Sequence, residues 1–248
     1  MKTSHVRGAN EDDNAEQPGN KAVMSTKQIL ERLFDLAANN LAGSNITSSL
    51  AKGKAFELYA LAVVLRAMRK AGFTVTAIAP PAVPTSQLRF AGGPANADKS
   101  KYTHFSLARQ SVRLEAWVSV EVQTLSTELE QKSSGATYLG LASYHELDIA
   151  VFTPLQTYPH RPTRSEVTFA ASCKDTGFKK EFVREALGLR RETAYLTNPN
   201  PSLAPWFISS VPARPAVPVV LFSRDSQCSN YAQPVDSLGV YVRQLLFP

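Results

Sequence analysis

Apolar and polar residues alternate regularly between Val112 and Leu125, which is the clearest pattern in the chain. An alternation with a period of two predicts a β-strand that buries one face. Further short apolar segments bounded by turn-forming residues predict strands at Phe73–Ala79, Tyr144–Phe152, Glu166–Lys174 and Val217–Phe222.

Apolar residues at helical spacing predict four helices around these strands. We expect them to begin near Ser25, to run from about Lys54 to Lys70 and from Phe178 to Thr193, and to close the chain from Val235 to Phe247. Along the chain, the predicted order is two helices and a strand, and after the stretch up to residue 110 three strands, a helix, a strand and a helix. This order predicts an α/β domain in which helices flank a central mixed β-sheet.

Segments poor in apolar residues set the limits of that domain. Residues 1 to 24 hold few apolar side chains and are expected to form a disordered tail, which leaves a single α/β domain from 25 to 248. The stretch from about 81 to 110 is rich in Pro, Gly, Ala and Asn over much of its length and is interpreted as an insertion. Residues Thr127 to Thr137 are expected to form a turn.

Composition and charge narrow the class of protein. A chain of 248 residues with 44% hydrophobic content can bury a substantial core. Its net charge of +6 favours polyanionic partners, although many basic proteins bind no nucleic acid. The longest apolar run, Leu58 to Leu65, is too short to cross a bilayer, and two cysteines are too few for a disulfide scaffold. We therefore expect a cytoplasmic protein without membrane contact.

Glu57 is the one charged residue in the apolar stretch from Ala55 to Leu65. On a helix it shares a face with Ala60 and Leu61, so its carboxylate is expected near the core, where it needs a counter-charge or a metal ion. The alternative is a glutamate whose end reaches water, favoured by the helix start and by Lys54.

Asp148 interrupts the apolar strand around it. Alternation would place Leu147, Ile149 and Val151 on one face, and Asp148 with Glu146 on the other. Because strand interiors disfavour aspartate, Asp148 is a candidate for chemistry. The alternative is a solvent-facing position on an edge strand.

A further polar pair lies at the end of the strand Glu166–Lys174. Alternation places Ser172 and Lys174 on the same face, with Cys173 on the other. A lysine here can orient a water molecule beside a metal ion, or it can be the first solvated residue of a loop.

A helix carboxylate, a strand aspartate and a small-x-Lys strand that leads into a basic helix together resemble the PD-(D/E)XK nuclease superfamily, over about residues 54 to 222. The resemblance implies a restriction endonuclease-like core and Mg²⁺- or Mn²⁺-dependent hydrolysis of DNA, in bacteria often for restriction or anti-phage defence. Asp148 would bind the metal and Lys174 would assist the attacking water. Glu57 would be the additional acidic residue of the first core helix.

One position departs from the pattern of that superfamily. Ser172 stands where an acidic residue is expected, two positions before the lysine. Glu57 or Glu146 could supply the missing metal ligand, with Ser172 completing the shell. If neither does, the resemblance implies an inactive subunit on the same fold that binds nucleic acid or a partner protein.

The helix after Lys174 is rich in basic residues. Between Arg161 and Arg191 the chain has eight basic and four acidic residues, a balance that suits contacts with a DNA backbone, and RNA is left open. The alternative is a solvated helix face on which Glu181 and Glu185 pair locally. No DNA-reading motif is present, so specificity is expected from loops, a homodimer or a partner protein. The candidate backbone contacts are Lys179, Lys180, Arg184 and Arg191.

Overall fold

The computed structural model describes residues 24–135, 143–157, 159–197, 213–214 and 217–247, without the side chains of 52, 133 and 134. These residues form four α-helices: α1 (Thr26–Ala37), α2 (Lys52–Lys70), α3 (Leu125–Ser134) and α4 (Lys180–Glu192). They also form eleven strands: β1 (Asn45–Ile46), β2 (Thr74–Ile78), β3 (Gln87–Leu88), β4 (His104–Arg109), β5 (Val112–Gln123), β6 (Tyr144–Phe152), β7 (Val167–Lys174), β8 (Tyr195–Leu196), β9 (Ala213–Arg214), β10 (Val219–Ser223) and β11 (Val240–Gln244).

Seven strands form a central sheet in the order β11-β10-β7-β6-β5-β4-β2. Neighbours from β2 to β7 are antiparallel, whereas β7, β10 and β11 run parallel to one another. The predicted α/β architecture, a mixed sheet flanked by helices, is confirmed at this level.

Helices cover both faces of the sheet because each face is apolar. Phe34 of α1 and Leu61 of α2 belong to a buried cluster with Ile149 of β6. On the opposite face, Ala186 of α4 belongs to a second cluster with Ala150 of β6. We call these the α2 face and the α4 face of the sheet.

At Ser119 the side chains of β5 switch from one face of the sheet to the other. Ser119 has a positive φ of 52°, and Val118 before it packs on the α2 face while Val120 after it packs on the α4 face. The paired strand β6 changes in the same way, with Ile149 on the α2 face and Leu147 on the α4 face. The predicted single alternation is therefore wrong along both strands: in β5 the face changes at Ser119, where the backbone departs from regular β geometry, and in β6 it changes between Leu147 and Ile149.

Three predictions of secondary structure need correction. The predicted insertion at 81–110 includes β4, which pairs with β2 and β5 and so belongs to the central sheet. The predicted turn at Thr127–Thr137 is mostly the helix α3, whose start is capped by the Thr124 side chain. In place of the predicted closing helix, Val240 and Val242 alternate with polar residues in β11.

Some predictions lie beyond the residues that the structure describes. The predicted tail at 1–24 lies outside them, apart from Met24. Within the described part of the chain, no helix is both long and apolar enough to cross a membrane.

Candidate functional site

The candidate site lies where β6 and β7 separate. Their pairing ends at Ile149 and Ala171, and the Asp148 carboxylate fills the gap that follows. Its Oδ2 accepts hydrogen bonds from the backbone N–H of Cys173 at 2.6 Å and from the Ser172 hydroxyl at 3.2 Å. Because β6 lies between β5 and β7, Asp148 is not on an edge strand, and that alternative is wrong.

Glu57 reaches the site from the first turns of α2. Its Oε2 accepts a hydrogen bond from Lys54 Nζ at 2.5 Å and another from the Ser119 hydroxyl at 2.9 Å. The Lys54 ammonium also contacts the Ser119 hydroxyl, and the Lys54 side chain is only 4% exposed. Lys54 therefore supplies the counter-charge that a carboxylate in this position requires. The lysine that was expected to favour a water-exposed Glu57 is instead its buried ion-pair partner.

Three carboxylates share this region with one buried lysine. Burial raises the pKa of Asp148 to about 6, and the nearby carboxylates of Glu57 and Glu146 add to the rise. Burial also raises the pKa of Glu146, again with a contribution from Glu57. Three carboxylates thus lie near the single buried ammonium of Lys54, and such an excess of negative charge favours the binding of a cation.

Lys174 and Ser172 face α4 on the other side of the gap. Lys174 Nζ is 2.7 Å from Glu185 Oε1 and 5.0 Å from the centre of the Phe182 ring. The Ser172 hydroxyl lies between Asp148 and Glu185, 3.4 Å from the latter. The Lys174 side chain is 17% exposed, so it is held in the structure and is not a solvated loop residue.

Three functional candidates were not found from the sequence. Lys54 and Ser119 both bind the Glu57 carboxylate, and Glu185 pairs with Lys174 and not with a neighbour on α4. The one signal for Glu185 was its helical spacing from Phe182, three residues away on the same face. Nothing in the local sequence predicts that Ser119 points toward Glu57, since the face of the sheet on which its side chain lies depends on a backbone angle.

A cavity of about 300 Å³ opens at the end of β7, between the starts of α2 and α4. Glu57 and Lys174 both line it, which brings two of the predicted site residues to one accessible space. Its remaining walls are formed by Gly53, Cys173, Asp175, Thr176 and Phe182.

The donor set fits a hard divalent cation with few protein ligands. No three His, Cys, Asp or Glu side chains of the described residues are close enough together to hold a metal ion. Mg²⁺ commonly uses one or two carboxylates and completes its shell with water and substrate phosphate oxygens. Asp148 and Glu57 are the carboxylates that would hold it, and Glu146 adds negative charge nearby.

The predicted nucleic-acid contacts lie on the outside of α4. Their side chains are exposed, Lys179 directly before the helix and the others on the helix, which also carries Phe182 and Glu185 toward the site. A basic surface thus adjoins the cavity through a single helix. These residues are Lys179, Lys180, Arg184 and Arg191.

Comparisons with known proteins gave no match: no protein-family model, no curated protein and no solved structure matches the chain.

Proposed function

We propose that the protein is a Mg²⁺-dependent endonuclease that hydrolyses DNA phosphodiester bonds on a restriction endonuclease-like core. The observation that carries this proposal is the position of Asp148 in the gap between β6 and β7, in contact with Ser172 and electrostatically coupled to Glu57. The order of α2, β5, β6, β7, α4 and β10 along the chain supports it, since the resemblance implies the same order.

The proposed chemistry gives a separate role to each residue of the site. When bound, Mg²⁺ would polarise the phosphate and lower the pKa of a water molecule. Asp148 and Glu57 would hold the metal, and the ion pair with Lys54 fixes the Glu57 carboxylate in place. Lys174, held in place by its ion pair with Glu185, orients the water and stabilises negative charge that develops on the phosphate.

Substrate selection follows from the charge around the cavity. The exposed basic residues of α4 suit a phosphate backbone and carry no base-reading geometry. A homodimer or a partner protein then supplies sequence specificity, as expected for a nuclease in restriction or anti-phage defence.

The test is plasmid nicking by purified protein in Mg²⁺ or Mn²⁺. Wild type is compared with Asp148→Ala and Lys174→Ala, and with Asp236→Ala and Lys27→Ala as matched controls at exposed positions. We expect nicking by the wild type and both controls and its loss in both site variants, with unchanged circular dichroism. Nicking that survives both site changes contradicts the proposal.

A second function, an inactive nucleic-acid-binding subunit on the same core, is favoured by Ser172 and by the Lys54–Glu57 pair, which balances the Glu57 charge without a metal. It predicts DNA or RNA binding by the wild type without nicking in either metal. Binding that is absent even at low salt contradicts both functions.

A further inference from the structure

Asp175 follows Lys174 directly, and its side chain is buried beside the cavity at the end of β7. The side chain is 8% exposed, and the residue lines the cavity together with Glu57 and Lys174. Its Oδ1 accepts a hydrogen bond from Arg224 Nη1 at 2.9 Å. Its Oδ2 is buried and has no hydrogen-bond partner among the described residues.

An unpaired carboxylate oxygen is costly in a protein interior. A buried polar atom that gives up water without gaining a partner costs about 1–3 kcal/mol, and more where it carries charge. Native structures therefore rarely contain one without an ion or water that satisfies it. Within the described residues only one other buried side-chain atom lacks a partner, Nδ1 of His104, and His104 does not line this cavity.

Glu57 brings a second available oxygen to the same cavity. Lys54 and Ser119 both contact its Oε2, and no described residue makes a hydrogen bond to its Oε1. The ammonium of Lys174 is bonded to Glu185, on the α4 side. Glu57 and Asp175, on different elements, thus line one space, and each has a carboxylate oxygen without a protein donor among the described residues. Such oxygens are the ligands that hard divalent cations prefer.

Asp175 lies on the side of the sheet where Glu57 is found. Its partner Arg224 stacks over Phe247 at 5.1 Å, and Phe247 packs against Phe56 and Tyr59 of α2. Ser172, in contrast, contacts Glu185 on the α4 face. A carboxylate at 172 would face away from α2, whereas the one at 175 lies on the Glu57 side.

We propose that Asp175 supplies the metal-binding carboxylate that Ser172 lacks: together with Glu57, the ligand it shares with the Asp148 side of the site, it holds a divalent cation in this cavity. The role of that cation in phosphodiester hydrolysis rests on the proposed function. The cation site itself rests on these two oxygens without protein donors and on the cavity that both residues line.

The test measures Mn²⁺ binding without DNA, by the electron paramagnetic resonance signal of free Mn²⁺. Asp175→Asn is compared with Arg224→Gln, which removes the same ion pair but keeps the carboxylate. We expect Asp175→Asn to weaken Mn²⁺ binding about tenfold or more, judged from the effect of changing groups around metal sites. Arg224→Gln is expected to bind Mn²⁺ as well as the wild type or better, because it removes a positive charge next to the cation.

Unchanged Mn²⁺ affinity in Asp175→Asn overturns the inference, and so does an equal loss in both variants, which would assign the ion pair a purely structural role. A wild type that does not bind Mn²⁺ also overturns it. The rise in unfolding temperature on adding Mn²⁺, measured for each variant against its own metal-free value, repeats the comparison for a variant with reduced stability.

Plasmid nicking with the same preparations separates this inference from the proposed function. Mn²⁺ binding that depends on Asp175, without any nicking, supports the cation site and counts against the nuclease. Nicking that requires Asp148, with Mn²⁺ affinity unchanged in Asp175→Asn, supports the nuclease and overturns the role of Asp175.

Discussion

Lys54 and Glu57 form an ion pair one turn apart on α2, with 2.5 Å between Nζ and Oε2, and the lysine side chain is 4% exposed. This pair determines how Glu57 enters the candidate site. A single substitution of either residue is therefore expected to lower the stability of the protein, because it leaves the other residue without its counter-charge.

The first prediction concerns that pair. Lys54→Met is expected to lower the free energy of unfolding by about 3 kcal/mol, since Glu57 is left unpaired. The double variant K54M/E57Q is expected to recover much of this loss, because neither charge then remains. Urea unfolding at neutral pH measures both.

Lys27→Met, which removes a lysine that is 48% exposed, serves as control and should lower the free energy of unfolding by less than about 1 kcal/mol. A loss in Lys54→Met no larger than this control contradicts the prediction.

The second prediction follows from the pKa of Asp148, which burial raises from the ordinary 3.8 to about 6. A raised carboxyl pKa means that the native state binds the proton more tightly than the unfolded chain does. The ionised carboxylate therefore destabilises the fold above pH 6, and this cost disappears as the pH falls toward 4. The upper limit of the cost is about 3 kcal/mol, at roughly 1.4 kcal/mol for each pKa unit.

Asp148→Asn removes that cost and is expected to be more stable than the wild type at pH 8 by about 1–3 kcal/mol. The difference should shrink between pH 6 and pH 4. Urea unfolding in metal-free buffer at pH 4, 5, 6 and 8 measures it, with Asp236→Asn as control. A difference that stays constant across this range would show that Asp148 titrates normally.

The third prediction concerns the basic face of α4. The triple variant K179Q/K180Q/R184Q is expected to bind DNA more weakly, whatever the DNA sequence. The slope of log affinity against log salt concentration should fall by up to about three, because each phosphate that is no longer neutralised lowers it by roughly one. A fluorescence titration at several salt concentrations measures the slope. The triple variant K27Q/R66Q/K70Q removes the same charge from exposed positions on α1 and α2. An equal reduction in both would assign the effect to net charge and not to α4.

Much of the framework of the site could be predicted from the sequence, because periodicity is a property of neighbouring residues. The patterns around α2, β6, β7 and α4 predict those elements, and the mixed sheet follows from their order. The segment from Val240 onward resembles a helix in sequence because its apolar residues suit either period, and its pairing with β10 is a long-range contact.

The arrangement inside the site could not be predicted in the same way. Val118 and Val120 have the same parity in the sequence, yet they pack on opposite faces because the backbone turns at Ser119. Strand parity alone predicts that Asp175 points away from Asp148. The structure shows what parity does not reveal, that Asp175 shares a cavity wall with Glu57.

The last prediction tests the backbone at Ser119, which is fully buried and has φ of 52°. A side chain in this left-handed region costs about 1–2 kcal/mol, whereas glycine adopts it freely. Ser119→Gly and Ser119→Ala both remove the hydroxyl that contacts Lys54 and Glu57. The glycine variant, however, also removes the steric cost of the side chain.

We therefore expect Ser119→Gly to be more stable than Ser119→Ala by about 1 kcal/mol in urea unfolding. At a regular strand position the order is reversed, since glycine is there about 0.5–1 kcal/mol worse than alanine. Ala116→Gly, in the regular part of β5, provides that comparison within the same strand. If alanine is preferred at both positions, β5 does not turn at Ser119. The face change that brings its hydroxyl to Glu57 would then have to arise elsewhere in the strand.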